Sequence, residues 1–202
     1  MTRRSILALL ALLAPAALSA QASAWQPSSG YTQVAIWPGT PPDAQPITGP
    51  ETSVTREKDH LVAGKPWTYV GPVSQPTMTV YSPTGKNTGT AVVVFPGGGY
   101  SILAIDLEGT EVCDWLTAKG ITCVLSKYRV PGDGKEPRSG PYPKSSMALE
   151  DAQRTLGLVR FHAAEWHIDP HRIGVLGFSA GGRTRRPRFW PATYEVCRDR
   201  MA

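Results

Sequence analysis

Gly177-Phe178-Ser179-Ala180-Gly181-Gly182 follows without a break on Arg172 to Leu176, which reads as a strand. A serine flanked by glycines at the end of such a run requires a tight strand-to-helix turn, because neighbours without a β-carbon relieve the crowding there. A strand feeding that turn needs partners, and the chain upstream supplies candidates. Ala91 to Phe95 is a continuous, valine-rich apolar run ending at Pro96-Gly97-Gly98-Gly99, the pattern of a strand covered on both faces. Thr77-Met78-Thr79-Val80-Tyr81 alternates polar and apolar residues, which predicts a half-buried strand. From about Gly109 to Lys119, Val112, Trp115, Leu116 and Ala118 recur at helical spacing and stop at Gly120, and Ile121 to Leu125 is the next strand. After a loop containing Pro131-Gly132-Asp133-Gly134, a helix from about Ser145 to Trp166 carries Met147, Ala148, Ala152, Leu156, Val159 and Ala163 on one stripe. Strands alternating with crossover helices predict an α/β fold with a doubly wound, mostly parallel sheet.

Everything before Thr77 has a different texture. Residues 25–76 are rich in proline, glycine and threonine, which predicts an extended lead-in with short strands. Residues 1–24 read as an export signal: Arg3 and Arg4 precede the apolar run Ile6 to Leu13, and Ala22-Ser23-Ala24 offers small residues for cleavage. The run is interrupted at Pro15 and is far shorter than the roughly 20 residues a bilayer span needs, so no stable membrane span is expected. Thr2-Arg3-Arg4-Ser5-Ile6-Leu7 also fits a twin-arginine signal, and the export route stays open. Export makes a disulfide between Cys113 and Cys123 possible, with two buried thiols as the alternative, and it leaves Cys197 over.

The formal net charge is +5, but six arginines from Arg183 onward and two in the signal account for the excess. The basic balance therefore belongs to the two ends of the chain and does not indicate a nucleic-acid partner.

In Gly177-x-Ser179-x-Gly181 the serine hydroxyl is lifted clear of its neighbours and becomes the candidate nucleophile. Backbone N–H groups of Gly98, Gly99 and Ala180 are the candidate donors to the oxyanion that forms when a carbonyl is attacked. The chain resembles the secreted esterase/lipase family of α/β-hydrolases, particularly its acetylesterase and acetylxylan-esterase-like members. The resemblance runs roughly from Val34 to Gly182 through Ile36-Trp37-Pro38-Gly39, Val93-Val94-Phe95-Pro96-Gly97-Gly98-Gly99-Tyr100, Lys127-Tyr128-Arg129, Ile168-Asp169-Pro170-His171-Arg172-Ile173-Gly174-Val175 and the glycine-serine turn. Pro96 stands where lipase-type relatives carry a histidine, as in the polysaccharide-associated branch. The resemblance implies hydrolysis of an acetylated carbohydrate or small acyl ester through an acyl-enzyme, without metal or organic cofactor. Another hydrolase reading is a prolyl-oligopeptidase-like serine peptidase.

The family order is serine, acid, histidine. Here His60, His162, His167 and His171 all precede Ser179, and the acids after it are Glu195 and Asp199. Glu150 and Asp151, on the long helix, read as solvated charges. Past Gly182 the sequence turns to Arg183-Thr184-Arg185-Arg186-Pro187-Arg188-Phe189-Trp190-Pro191, which offers no long apolar helix face. The expected organisation is thus a signal (1–24), a lead-in (25–76), the N-terminal portion of a hydrolase domain (77–182) and an aberrant arginine- and proline-rich tail (183–202), as a frameshift or misassembled gene would produce. On that reading activity is impaired and the chain is a non-catalytic remnant in the limiting case. The rival for the tail, a basic segment binding nucleic acid or another anionic polymer, sits poorly with export.

Overall fold

A computed structural model of the protein describes residues 24–44, 49–58, 60–130 and 146–183. The expected signal up to residue 23, the loop at 131–134, Cys197 and the tail from residue 184 lie outside the described residues.

The strands are β1 (Gln33–Ala35), β2 (Thr52–Arg56), β3 (Trp67–Gly71), β4 (Thr77–Tyr81), β5 (Ala91–Phe95), β6 (Thr122–Lys127) and β7 (Ile173–Gly177). The helices are α1 (Glu111–Thr117), α2 (Ser146–Phe161) and α3 (Ala180–Arg183). Five strands form one sheet in the order β1-β4-β6-β5-β7, while β2 and β3 pair as a separate antiparallel ladder. The sheet is mixed: β6, β5 and β7 run parallel, and β4 is antiparallel to both β6 and β1. The chain passes from β5 through α1 to β6 on one side, then through α2 to β7 on the other, so strand order reverses at β5. β5 is the axis of the core, with Val93, Val94 and Phe95 buried beside Val124 and Leu125 of β6.

Thr77–Tyr81 is buried more deeply than its alternation predicts. It lies between β1 and β6, and Thr79 is buried along with Met78 and Tyr81. The lead-in thus contributes β1 to the main sheet.

A turn of π-helix at Asp106–Thr110, with the Thr110 N–H donating to the Ile105 carbonyl at 3.0 Å, runs into α1. Its inward residues are Gly109, Cys113 and Leu116, spaced four and three apart. Trp115, expected on the packed stripe, is instead 58% exposed, with the Lys119 ammonium 4.8 Å from its ring centroid. Cys113 and Cys123 are joined by a disulfide that ties α1 to β6. Closing a loop of this size stabilises a fold by roughly 2.5 kcal/mol in the chain-entropy account.

α2 ends at Phe161, five residues short of the expected Trp166. Turns follow, closed by His167 in the left-handed region (φ +56°) and by the Ile168 N–H donating to the Ala163 carbonyl at 2.7 Å. That six-to-one bond satisfies a helix-terminal carbonyl, with histidine where glycine is usual. No helix among the described residues is long and apolar enough to cross a membrane.

Glu150 and Asp151 are not solvated charges. Asp151 is fully buried and accepts from the Arg129 N–H at 2.9 Å, from Arg129 Nε at 2.9 and 3.1 Å, and from Trp37 Nε1 at 2.8 Å. Arg129, 1% exposed, also reaches the Pro42 carbonyl at 2.6 Å and Glu150 at 3.0 Å. This network pins the lead-in to α2 and to the segment leaving β6. Burial raises the Glu150 carboxyl above the usual range against the opposing pull of Arg129, with Asp43 adding to the rise.

Candidate active site

In an open α/β sheet, the carboxyl ends of strands that flank a reversal of strand order leave a crevice between them. Here those strands are β5 and β7, and their ends carry Pro96-Gly97-Gly98-Gly99 and Phe178-Ser179. The Phe178 N–H donates to the Phe95 carbonyl at 3.0 Å, carrying the ladder to the last residue before the serine. Ser179 is exposed and has φ +46°, in the left-handed region. Such a backbone costs a residue with a β-carbon on the order of 1–2 kcal/mol and persists only where its surroundings fix it. The surroundings here are close backbone contacts. A β-carbon on Gly181 would overlap the Phe95 carbonyl oxygen and lie 2.7 Å from that of Pro96, and one on Gly177 would lie 2.6 Å from the Gly181 oxygen. Both glycines are therefore needed for α3 to start across the end of β5.

The glycine turn facing Ser179 is tied at several points. The Tyr128 hydroxyl donates to the Pro96 carbonyl at 2.6 Å, and the Gly97 N–H donates to Glu108 Oε2 at 2.7 Å. The Gly97 carbonyl accepts from the Ala104 N–H at 3.0 Å, and the Gly98 carbonyl accepts from Ser101 and Ile102 at 3.1 and 3.2 Å. The N–H groups of Gly98 and Gly99 are in none of the hydrogen bonds seen among the described residues. Ala180, the first residue of α3, has an N–H with no acceptor inside its own helix. The point a β-carbon on Gly97 would occupy lies 3.0 Å from Ser179 Cβ and 2.9 Å from Glu108 Oε2. Ser179, the Gly97–Gly99 turn and Ala180 thus meet at one edge of the sheet. Glu108 joins them without having been singled out from the sequence.

Tyr128 is fully buried, and burial, helped by Tyr100 and Glu108, drives its phenol far above its ordinary value. Burial likewise pushes Tyr81 up to about 12, with Tyr31 and Asp114 adding to the effect. Both hydroxyls keep their protons to higher pH when folded, so above pH ~10 the unfolded chain binds fewer protons than the folded one. Stability should therefore hold to about pH 10 and fall as pH rises towards 12. Urea unfolding across that window checks this, and Tyr128→Phe should flatten the fall.

His162, His167 and His171 do not stand at this end of the sheet, and no hydrogen bond among the described residues joins His60 to it. The His60 carbonyl accepts from Trp67 Nε1 at 2.8 Å in the loop before β3. His162 bonds Glu165 at 2.8 Å and stacks on Trp166, with ring centroids 4.9 Å apart. His167 closes the turns after α2, and the His171 N–H donates to Asp169 Oδ1 at 2.8 Å in the turn entering β7. These last three lie towards the amino end of β7, a strand length of roughly 15 Å from its carboxyl end. Glu195 and Asp199 are outside the described residues. Two surface hollows of about 510 and 370 Å³ lie along β4 and not at Ser179, one beside Tyr31 and Pro83 and the other beside Gln33 and Lys127.

The family model BD-FAE matches residues 78–185. An acetylxylan esterase from Xylanibacter ruminicola is 36% identical over 109 residues, which are 54% of this chain and 21% of that relative. The chain therefore spans about a fifth of the length of that curated relative. The crystal structure of an acetyl ester-xyloside bifunctional hydrolase from Caldicellulosiruptor lactoaceticus superimposes with a TM-score of 0.50 at 29% identity, over 76% of this chain and 44% of its own.

Proposed function

The chain belongs to the BD-FAE family, and from that premise we propose that it is a serine-dependent carboxylic ester hydrolase acting on acetylated carbohydrate or small acyl esters. Its fold is that of an α/β-hydrolase. The observation that carries the proposal is the exposed Ser179 in a left-handed turn, facing a glycine turn whose Gly98 and Gly99 N–H groups have no acceptor among the described residues. In this reading Ser179 Oγ attacks the ester carbonyl and the N–H groups of Gly98, Gly99 and Ala180 donate to the developing oxyanion. The alcohol leaves, and water then releases the acid from the acyl-serine. The residues from 77 to 182 form the hydrolase portion, residues 25–76 brace it, and residues 1–24 direct export to the periplasm or beyond. The Cys113–Cys123 disulfide supports an oxidising compartment.

A non-catalytic chain is the second reading, favoured by the placing of His162, His167 and His171 a strand length from Ser179. A hydroxyl without a base is a weak nucleophile. Hydrolysis of p-nitrophenyl acetate by the purified chain, compared with Ser179→Ala, separates the two. The esterase reading expects Ser179→Ala to abolish whatever hydrolysis the chain shows above background. Equal rates in both proteins would leave the non-catalytic reading standing.

A further inference from the structure

We propose that Glu108 is a positioning residue for the oxyanion site, holding the glycine turn so that the Gly98 and Gly99 N–H groups face the reacting carbonyl. This rests on the ester-hydrolase reading of Ser179. Gly97 is buried, so its N–H needs an acceptor within the protein, and Glu108 Oε2 supplies one at 2.7 Å. With the Gly97 N–H directed inward, and the Gly97 and Gly98 carbonyls held by Ala104, Ser101 and Ile102, the peptide planes that follow are fixed with their N–H groups unspent.

Glu108 is itself held in place. It sits in the π-helical turn, where wider winding often marks a functional position. Its own N–H donates to the Ala104 carbonyl at 3.2 Å. Two residues earlier, Asp106 accepts the Thr68 N–H of β3 at 2.5 Å and the Leu107 N–H at 2.7 Å. The carboxylate therefore hangs from a turn anchored to β3, with its tip on the Gly97 N–H.

What matters in this role is reach and an acceptor oxygen, not charge, and two substitutions separate these. Glu108→Gln keeps the length and an acceptor, while Glu108→Asp keeps the charge and loses a methylene. In the full chain, two quantities are measured: the Ser179-dependent rate on p-nitrophenyl acetate, taken as the difference from Ser179→Ala, and amide hydrogen exchange at Gly97 and Gly98 by NMR. Glu108→Gln should stay within about threefold of the unaltered chain in kcat and in exchange, whereas Glu108→Asp should lose at least ~10-fold in kcat, with KM within about threefold, and exchange Gly97 faster. The reverse pattern, faster exchange in both variants, or unaltered Gly97 exchange in both, overturns the proposal. If Glu108→Asp unfolds the chain, Glu108→Ala takes its place: faster Gly97 exchange there with Glu108→Gln unaltered supports the role, and unaltered exchange in both or faster exchange in both overturns it. If the chain has no Ser179-dependent rate, the ester-hydrolase reading fails, and the exchange pattern still decides whether Glu108 sets the turn.

Discussion

Replacing Asp151 with alanine is expected to destabilise the fold by about 3 kcal/mol, because it removes the fully buried one of the two carboxylates that Arg129 pairs with and leaves only the half-buried Glu150. Arg129 and Asp151 are 1% and 0% exposed, so water cannot enter to compensate without opening the core. The same substitution also strips acceptors from the Arg129 N–H and the Trp37 indole. At the few degrees per kcal/mol usual for a chain of this size, Tm should drop by roughly 10 °C. Urea unfolding gives the free energy directly, and a loss under about 1 kcal/mol would show that the network is dispensable. Removing both charges at once, as Arg129→Met with Asp151→Leu, should cost less than Asp151→Ala alone, since no buried ion is then left unpaired.

Gly181→Ala should cost roughly 3 kcal/mol or more, and here the cause is steric. The added methyl meets the Phe95 and Pro96 carbonyl oxygens, which are backbone atoms at the end of β5 and cannot swing aside. Relief requires moving the start of α3 away from β5, and that displaces Ser179 from the Gly97–Gly99 turn. Gly157→Ala is the matched control. Gly157 lies in α2 with nothing within 4 Å of its would-be β-carbon, and the same methyl there should stabilise by up to ~1 kcal/mol. Parallel thermal melts distinguish the two, and similar Tm values for both variants would contradict the steric account.

The parts of this molecule written in local pattern were readable from the sequence. The valine run of β5, the glycine-flanked Ser179 and the crossover helices each follow from neighbours a few residues apart. What was misread depends on distant partners. Asp151 sits at a helix position where a carboxylate is ordinarily hydrated, and only Arg129, 22 residues back, and Trp37, 114 residues back, bring it inside. Glu108 was missed for the same reason: the atom it serves, the Gly97 N–H, is eleven residues upstream across a turn no spacing rule defines. Trp115 misled through its size, being apolar enough to suggest the core although the buried face of α1 runs through Gly109, Cys113 and Leu116.

The bracing of the lead-in also fixes an order of events during synthesis. Arg154 donates to the Ile36 carbonyl at 2.9 Å across 118 residues, and its guanidinium lies 5.4 Å from the Trp37 ring centroid. At ribosomal rates, on the order of ten seconds separate the appearance of Trp37 from that of its helix partners. Through that interval Ile36 and Trp37 lack their α2 partners, although β1 beside them can already pair with β4, and closing so long a loop is a slow, high-contact-order step. The Trp37 stretch, made early, is therefore among the last to settle.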